Sequence, residues 1–195
     1  MKLNIRRAAL AALVSAASLA AFADPIVNTV DRTFGTGSDH IYFVIDWNDG
    51  PDDSLNWRFN YNDGDYGSVY DAMVALETAD SALDFVFADF GFGEYLDGMH
   101  YNDGSETHGV TAGTSPAPRD WISLWEGDAS GSSWTSSSAG VTDITPTTGY
   151  AYGLNYEADW NNPSTAPNAV PEPALVGLLL GGLGLTIWLR RARSS

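Results

Sequence analysis

The chain has 195 residues, with 25 acidic side chains against nine basic ones and a net charge of −16 at neutral pH. It has no cysteine, which removes disulfides, thiolate metal sites and a cysteine nucleophile together. The middle of the chain has no basic cluster to neutralise phosphates, so a nucleic-acid surface is excluded. An acid excess of this size favours divalent cations or basic partners instead.

The N-terminus opens with Lys2, Arg6 and Arg7, then a run of small apolar residues over 8–21. Ala21-Phe22-Ala23 fits the A-x-A pattern of signal peptidase sites, so residues 1–23 are expected to be a secretory signal peptide cut between Ala23 and Asp24. The exported domain is then expected over 24–160, long enough to bury a single core without staples.

Within it, residues 24–39 are polar and read as an edge strand or a loose lead-in. The β-branched and aromatic run 40–47 (HIYFVIDW) predicts a strand. A turn at 48–53 leads to 54–61 (SLNWRFNY), where Leu55, Trp57, Phe59 and Tyr61 alternate onto one face, so the two strands read as a hairpin. Ser68, with Asp71 three residues on, is a capping-box start for a helix ending near Asp80; Val69, Ala72, Met73, Leu76 and Ala79 form its apolar stripe. Strands follow over 83–90 and over 94–101, the second interrupted at Asp97-Gly98. Residues 102–119 read as a long polar loop, 120–126 as a strand, and the serine-rich 127–140 around Trp134 as a hairpin. Tyr150, Tyr152, Leu154 and Tyr156 alternate onto one face of a last strand. The Pro/Asn/Ser-rich stretch 161–169 reads as a linker.

The C-terminal stretch has three parts. Val170-Pro171-Glu172-Pro173 comes first, then the uncharged run 174–189 (ALVGLLLGGLGLTIWL), then Arg190, Arg191 and Arg193. As a helix, 16 residues span about 24 Å, somewhat short of the roughly 30 Å hydrocarbon core. The arginines form a cytoplasmic stop, which places the preceding domain on the far side of the inner membrane. This arrangement, over 170–193, resembles the PEP-CTERM sorting signal. The resemblance implies an exported substrate of an exosortase, an integral-membrane transpeptidase-like enzyme, with Pro171, Glu172 and Pro173 as the recognised motif. It also implies an exopolysaccharide-producing setting. The implied partners are the exosortase, the lipid bilayer and exopolysaccharide.

Three stretches of the exported domain resemble the transcobalamin C-terminal-like domain, a β-grasp-type module. They are 70–79 (YDAMVALETA), 90–99 (FGFGEYLDGM), and 120–127 followed by 133–156. The family has Gly-Asp before its last strand; here Thr148-Gly149-Tyr150 lacks the aspartate. The fold class expected is α+β: a mainly antiparallel β-sheet with one packed helix, β-grasp-like, plus a C-terminal transmembrane helix over 174–189. The resemblance implies a small-molecule ligand of corrinoid type, and a glycan ligand is the alternative.

Six of the nine bases lie in the two terminal signals, which leaves Arg32, Arg58 and Arg119 against 24 acids over 24–169. Three Asn-Asp-Gly triplets, starting at Asn48, Asn62 and Asn102, have two readings: hairpin turns, or weak calcium coordination by acidic turns. The EF-hand spacing fails, and no cofactor is assigned. Trp47 and Trp57 read as core. Trp121 and Trp125, four apart and so on one face, join Trp134 as a candidate stacking platform for a ligand. No H-E-x-x-H or G-x-S-x-G context surrounds His40, His100, His108 or any serine. The sequence therefore reads as an exported, membrane-anchored surface or matrix protein without catalytic residues.

Overall fold

The computed structural model describes residues 25–48, 54–89, 91, 93–113, 120–159 and 163–168. Ala21, Ala23, Asp24, the Val170–Pro173 motif, the 174–189 run and Arg190, Arg191 and Arg193 lie outside the described residues. Among the described residues no helix is long and apolar enough to cross a membrane. The described chain is mainly β-sheet with one helix.

The hairpin at its centre follows from two alternating runs. β2 (Asp39–Asp46) and β3 (Ser54–Tyr61) pair antiparallel, with Ile41 opposite Phe59 and Phe43 opposite Trp57. A short edge strand, β1 (Arg32–Gly35), lies parallel to β3. β9 (Tyr150–Glu157) joins the other side of β2 in parallel, with Phe43 beside Tyr152 and Ile45 beside Leu154. β7 (Trp121–Asp128) and the two-residue β8 (Thr135–Ser136) complete a six-stranded sheet in the order β1-β3-β2-β9-β7-β8. Within the serine-rich stretch, Gly127 and Asp128 end β7, and Thr135 and Ser136 form β8, which returns antiparallel as a short hairpin.

The helix α1 (Val69–Ala79) forms where the stripe predicts it. The Ser68 hydroxyl accepts from the Asp71 N–H, and an Asp71 carboxylate oxygen accepts from the Ser68 N–H, closing the capping box. Two more first-turn donors are satisfied from outside the helix, since Val69 N donates to Ile144 O and Tyr70 N to Val141 O. Val69, Ala72, Met73 and Leu76 are buried. Ala79 is exposed, a correction to the predicted stripe, because the chain leaves helical geometry at Asp80 one residue later.

A second, three-stranded sheet differs most from the sequence reading. β4 (Leu83–Asp89), β5 (Glu94–Asn102) and β6 (Thr107–Thr111) form an antiparallel meander. β6 lies inside the predicted polar loop. Its alternation puts His108 and Val110 beside Tyr101 and Met99, and burial of that one row is enough to hold a strand in a polar sequence. β5 is not interrupted at Asp97-Gly98: Leu96 pairs with Phe87 and Gly98 with Val86, so Asp97 is the extra residue of a β-bulge. The inner row of this sheet meets the large sheet through aromatics. Trp47 Nε1 donates to Met99 O at 2.9 Å, and the Trp47 ring stacks on His108 at 4.8 Å.

Seven pairings hold the two sheets, five antiparallel and two parallel. The inner face of the large sheet packs Ile41, Phe43, Ile45, Trp57, Phe59, Tyr152 and Leu154 against α1 and the small sheet. The outer face is buried too. Residues 25–31 cross it, with Ile26 N donating to Gly131 O and Asn56 N to an Asp31 carboxylate oxygen. Residues 163–168 cross it from the other side: Thr165 N donates to Glu157 Oε1 at 2.6 Å and Asn168 N to Asp46 Oδ2 at 2.9 Å. Ala151, Gly153 and Asn155 are therefore as buried as Tyr152 and Leu154, and the last strand is not one-sided. The described part of the predicted linker is a docked strap, because its backbone donors reach two buried carboxylates.

Candidate functional site

A cleft of about 580 Å³ opens between the start of β5 and the β7–β9 pair. Its floor is Leu96, Ile122, Leu124, Val141 and Leu154. Its walls are residues 94–97, 112–113, 120–122 and 137–141. The bulge at Asp97 shapes one wall: the Asp97 carbonyl accepts from Ala112 N at 2.6 Å and turns the chain after β6 back over the cleft. The volume is within the range of small-molecule sites, and an apolar floor with a few polar groups is their usual make-up.

Among the described residues the charged groups lining the cleft are Glu94, Asp97 and Asp120. Asp120 is buried and fixed. Its Oδ1 accepts from Gly113 N at 2.6 Å and its Oδ2 from the Tyr156 hydroxyl at 2.7 Å. Burial, and then the hydrogen bond to Asp120 and that carboxylate's charge, push the Tyr156 phenol up to about 12. Tyr156 thus remains a proton donor through the neutral range and holds Asp120 in place. Carboxylates over an apolar floor attract a cation or a hydroxylated ring with an apolar face.

Trp121 and Trp125 share the outer face, as their spacing predicts, and Trp134 lies on that side too, but the three do not share one groove. Trp121 lines the cleft; Trp125 and Trp134 are not among its lining residues. Trp125 Nε1 donates to Ser123 Oγ at 3.0 Å. Trp134 lies over Gly153 beside Pro167, where a Cβ on residue 153 would fall 2.9 Å from the indole. All three are half-buried. Trp47 and Trp57 are fully buried, as their strand positions predict.

The histidines take separate places. His108 is held between Trp47 and Glu106, with Nε2 2.9 Å from Glu106 Oε1. His100 lies on the solvent face of the small sheet, with Nδ1 3.2 Å from Asp84 Oδ2 and Nε2 3.2 Å from Thr111 Oγ1. Carboxylate, imidazole and hydroxyl stand in the order of a proton relay, but the Asp84 side chain is 63% and that of His100 37% exposed. Cross-strand pairing of Asp84 with His100 accounts for the contact, and bulk water there supplies none of the dry preorganisation that relay catalysis needs. Sequence reasoning missed the cleft. Its polar anchors are two ordinary aspartates and a tyrosine, brought together only by β-bulge and sheet geometry.

Two Asn-Asp-Gly triplets are turns. Gly64 and Gly104 have φ of 82° and 89°, and Asn102 Oδ1 accepts from Gly104 N. Of the third, Asn48 has φ of 55°, and Asp49 and Gly50 lie outside the described residues. Among the described residues no three His, Asp or Glu side chains gather as a metal ion would need. No known protein family, curated protein or solved structure matches this chain.

Proposed function

We propose that the chain is an exported surface or matrix domain, delivered to the membrane by its C-terminal stretch and sorted there by an exosortase-type enzyme acting at Val170, Pro171, Glu172 and Pro173. The observation that carries this is the three-part order of that stretch: proline-flanked glutamate, uncharged run 174–189, then Arg190, Arg191 and Arg193. The alanine-rich segment ending at Ala21, Ala23 and Asp24 supports export. A 16-residue run is marginal as a lasting anchor, which favours a processing signal. The partners are then the exosortase and the lipid bilayer, with exopolysaccharide at the final location. Deleting residues 171–195 should leave the domain exported but abolish membrane association and processing. Unchanged fractionation and size in a host carrying the sorting enzyme would overturn the reading.

The cleft favours a second reading of the delivered domain, as a non-enzymatic binding module. Its sheet order supports a β-grasp-like plan. A hairpin (β2, β3) leads into a helix, and β7 and β9 return so that β9 lies parallel to β2 at the centre, with β4–β6 as an insert. The ligand class is a one- or two-ring molecule with an apolar face and a cationic or hydroxylated edge; a macrocycle of corrinoid size would project from the cleft. Leu124→Trp, which fills the floor, should abolish the tryptophan fluorescence change produced by cationic aromatics or short glycans. A panel of such ligands giving no saturable change with the unaltered chain would remove the reading.

A further inference from the structure

The two ends of the described chain leave from one face, and that face is buried under them. Ile26 is pressed on Gly127, where a Cβ would meet its Cδ1 at 2.4 Å. Pro167 is pressed on Gly153 in the same way, at 2.5 Å. Residues 127 and 153 both lie on the outer side of the six-stranded sheet, opposite the row of Leu124 and Leu154. The strap 163–168 is pinned at both ends, by Glu157 through the Thr165 N–H and by Asp46 through the Asn168 N–H and side-chain amide. Glu157 Oε1 also accepts from Asn155 Nδ2 and the Ser123 hydroxyl, so the pin is part of the sheet itself.

Five residues, or six Cα–Cα steps, separate Asn168 of the pinned strap from Ala174, where the uncharged run begins. Fully extended they reach about 20 Å. A folded body of this size has a radius of gyration of about 14 Å and is about 35 Å across. The tether is shorter than the body it holds, so the body cannot turn its far side to the bilayer while the strap stays docked.

We infer that the outer face of the six-stranded sheet is the membrane-proximal surface of the domain, held there by the 163–168 strap, with the lipid bilayer as its partner. This rests on the delivery reading. The small sheet packs on the opposite, inner side and points away from the lipid, so the cleft between β5 and β7 remains accessible in the anchored protein.

The absence of cysteine makes this testable with single labels on the full chain. Ser133→Cys places a probe above the outer face and Thr107→Cys one on the far sheet; both positions are exposed. Each variant carries a polarity-sensitive fluorophore and is reconstituted into vesicles of phosphatidylethanolamine and phosphatidylglycerol containing a nitroxide lipid. The expected result is quenching several-fold stronger at residue 133 than at residue 107. Adding Asp46→Ala and Glu157→Ala, with folding verified by circular dichroism, should bring the two sites close to equal. Equal quenching in the unaltered background, with the protein floating with the vesicles, overturns the inference and leaves the delivery reading intact. Failure to float with the vesicles overturns both.

Discussion

Both faces of the six-stranded sheet are covered, and they are built from different materials. The inner face is apolar: Ile41, Phe43, Ile45, Trp57, Phe59, Tyr152 and Leu154 meet α1 and the small sheet. The outer face carries Asp46, Asn56, Ser123, Asn155 and Glu157, all buried and polar. The covers explain the difference. α1 and β4–β6 pair most of their own backbone groups, so they meet the inner face mainly by apolar contact, with Trp47 Nε1 donating to Met99 O and Trp57 Nε1 to Asp80 as polar exceptions. Segments 25–31 and 163–168 are irregular, and outer-face side chains meet several of their backbone groups: Thr29 O accepts from Asn56 Nδ2, and the Thr165 and Asn168 N–H groups donate to Glu157 and Asp46. The match is incomplete: Asn28 Oδ1, Thr29 Oγ1, Asn56 Oδ1, Trp121 Nε1 and Asn155 Oδ1 are buried without a protein partner, and all belong to the outer face or its cover. Each such atom costs about 1–3 kcal/mol when no water reaches it. The outer cover is therefore the weaker of the two interfaces, suited to a segment that must be able to lift.

Unequal faces predict unequal mutational costs. The largest effect is expected at Trp57, fully buried and donating from Nε1 to Asp80 at 2.9 Å. Trp57→Ala opens a cavity and strips a buried carboxylate of a donor, and should cost about 3–5 kcal/mol in urea unfolding. A loss under about 1 kcal/mol would mean that the inner face is not the core. On the outer face Glu157→Ala leaves the Thr165 N–H without its acceptor and removes one of the Asn155 amide's acceptors. It should cost about 1–3 kcal/mol. Its diagnostic sign is local, with amide exchange rising first at residue 165 and proteolysis appearing within the strap before the body unfolds. Cooperative loss of both faces at once would contradict the comparison.

The inner face was legible in the sequence and the outer one was not. The β-branched and aromatic run 40–47 and the alternation of Leu55, Trp57, Phe59 and Tyr61 in 54–61 mark the strands that build the inner row. The capping box at Ser68 and Asp71 is legible for a similar reason, since its whole chemistry spans four residues. The outer row is carried by Asp46, Asn155 and Glu157, residue types that a period-2 reading assigns to solvent. Their burial depends on a strap far along the chain, with Asn168 122 positions after Asp46. The same limit hid β6 and the cleft. Thr107–Thr111 contains one large apolar residue, Val110, and the stacking of His108 on Trp47 is a contact between sheets with no sequence-local trace.

Smaller effects sharpen the comparison by leaving both faces untouched. Ser68→Ala removes the cap of α1, whose buried stripe serves the inner face alone. It should cost about 1 kcal/mol and leave strap exchange unchanged. The smallest effect belongs to Asp103, in the turn between β5 and β6. Hydrogen bonds from the Ser105 side chain and from the Ser105 and Glu106 backbone, with help from Arg32, hold its carboxyl down at about 2. Arg32 NH2 reaches Asp103 at 2.7 Å while its guanidinium lies 4.9 Å over the Tyr101 ring, tying edge strand β1 to the small sheet. A carboxyl with a lowered folded-state pKa stabilises the fold above its unfolded value and loses that contribution as pH falls through the folded one. The tie should therefore be complete above about pH 4 and released by about pH 2. Asp103→Asn should flatten the dependence of melting temperature on pH in that window and change it little at pH 7. Because the group is in water the effect is small, and salt should weaken it further. If Asp103→Asn leaves the pH dependence of melting unchanged in that window, the tie between β1 and the small sheet contributes nothing to the fold.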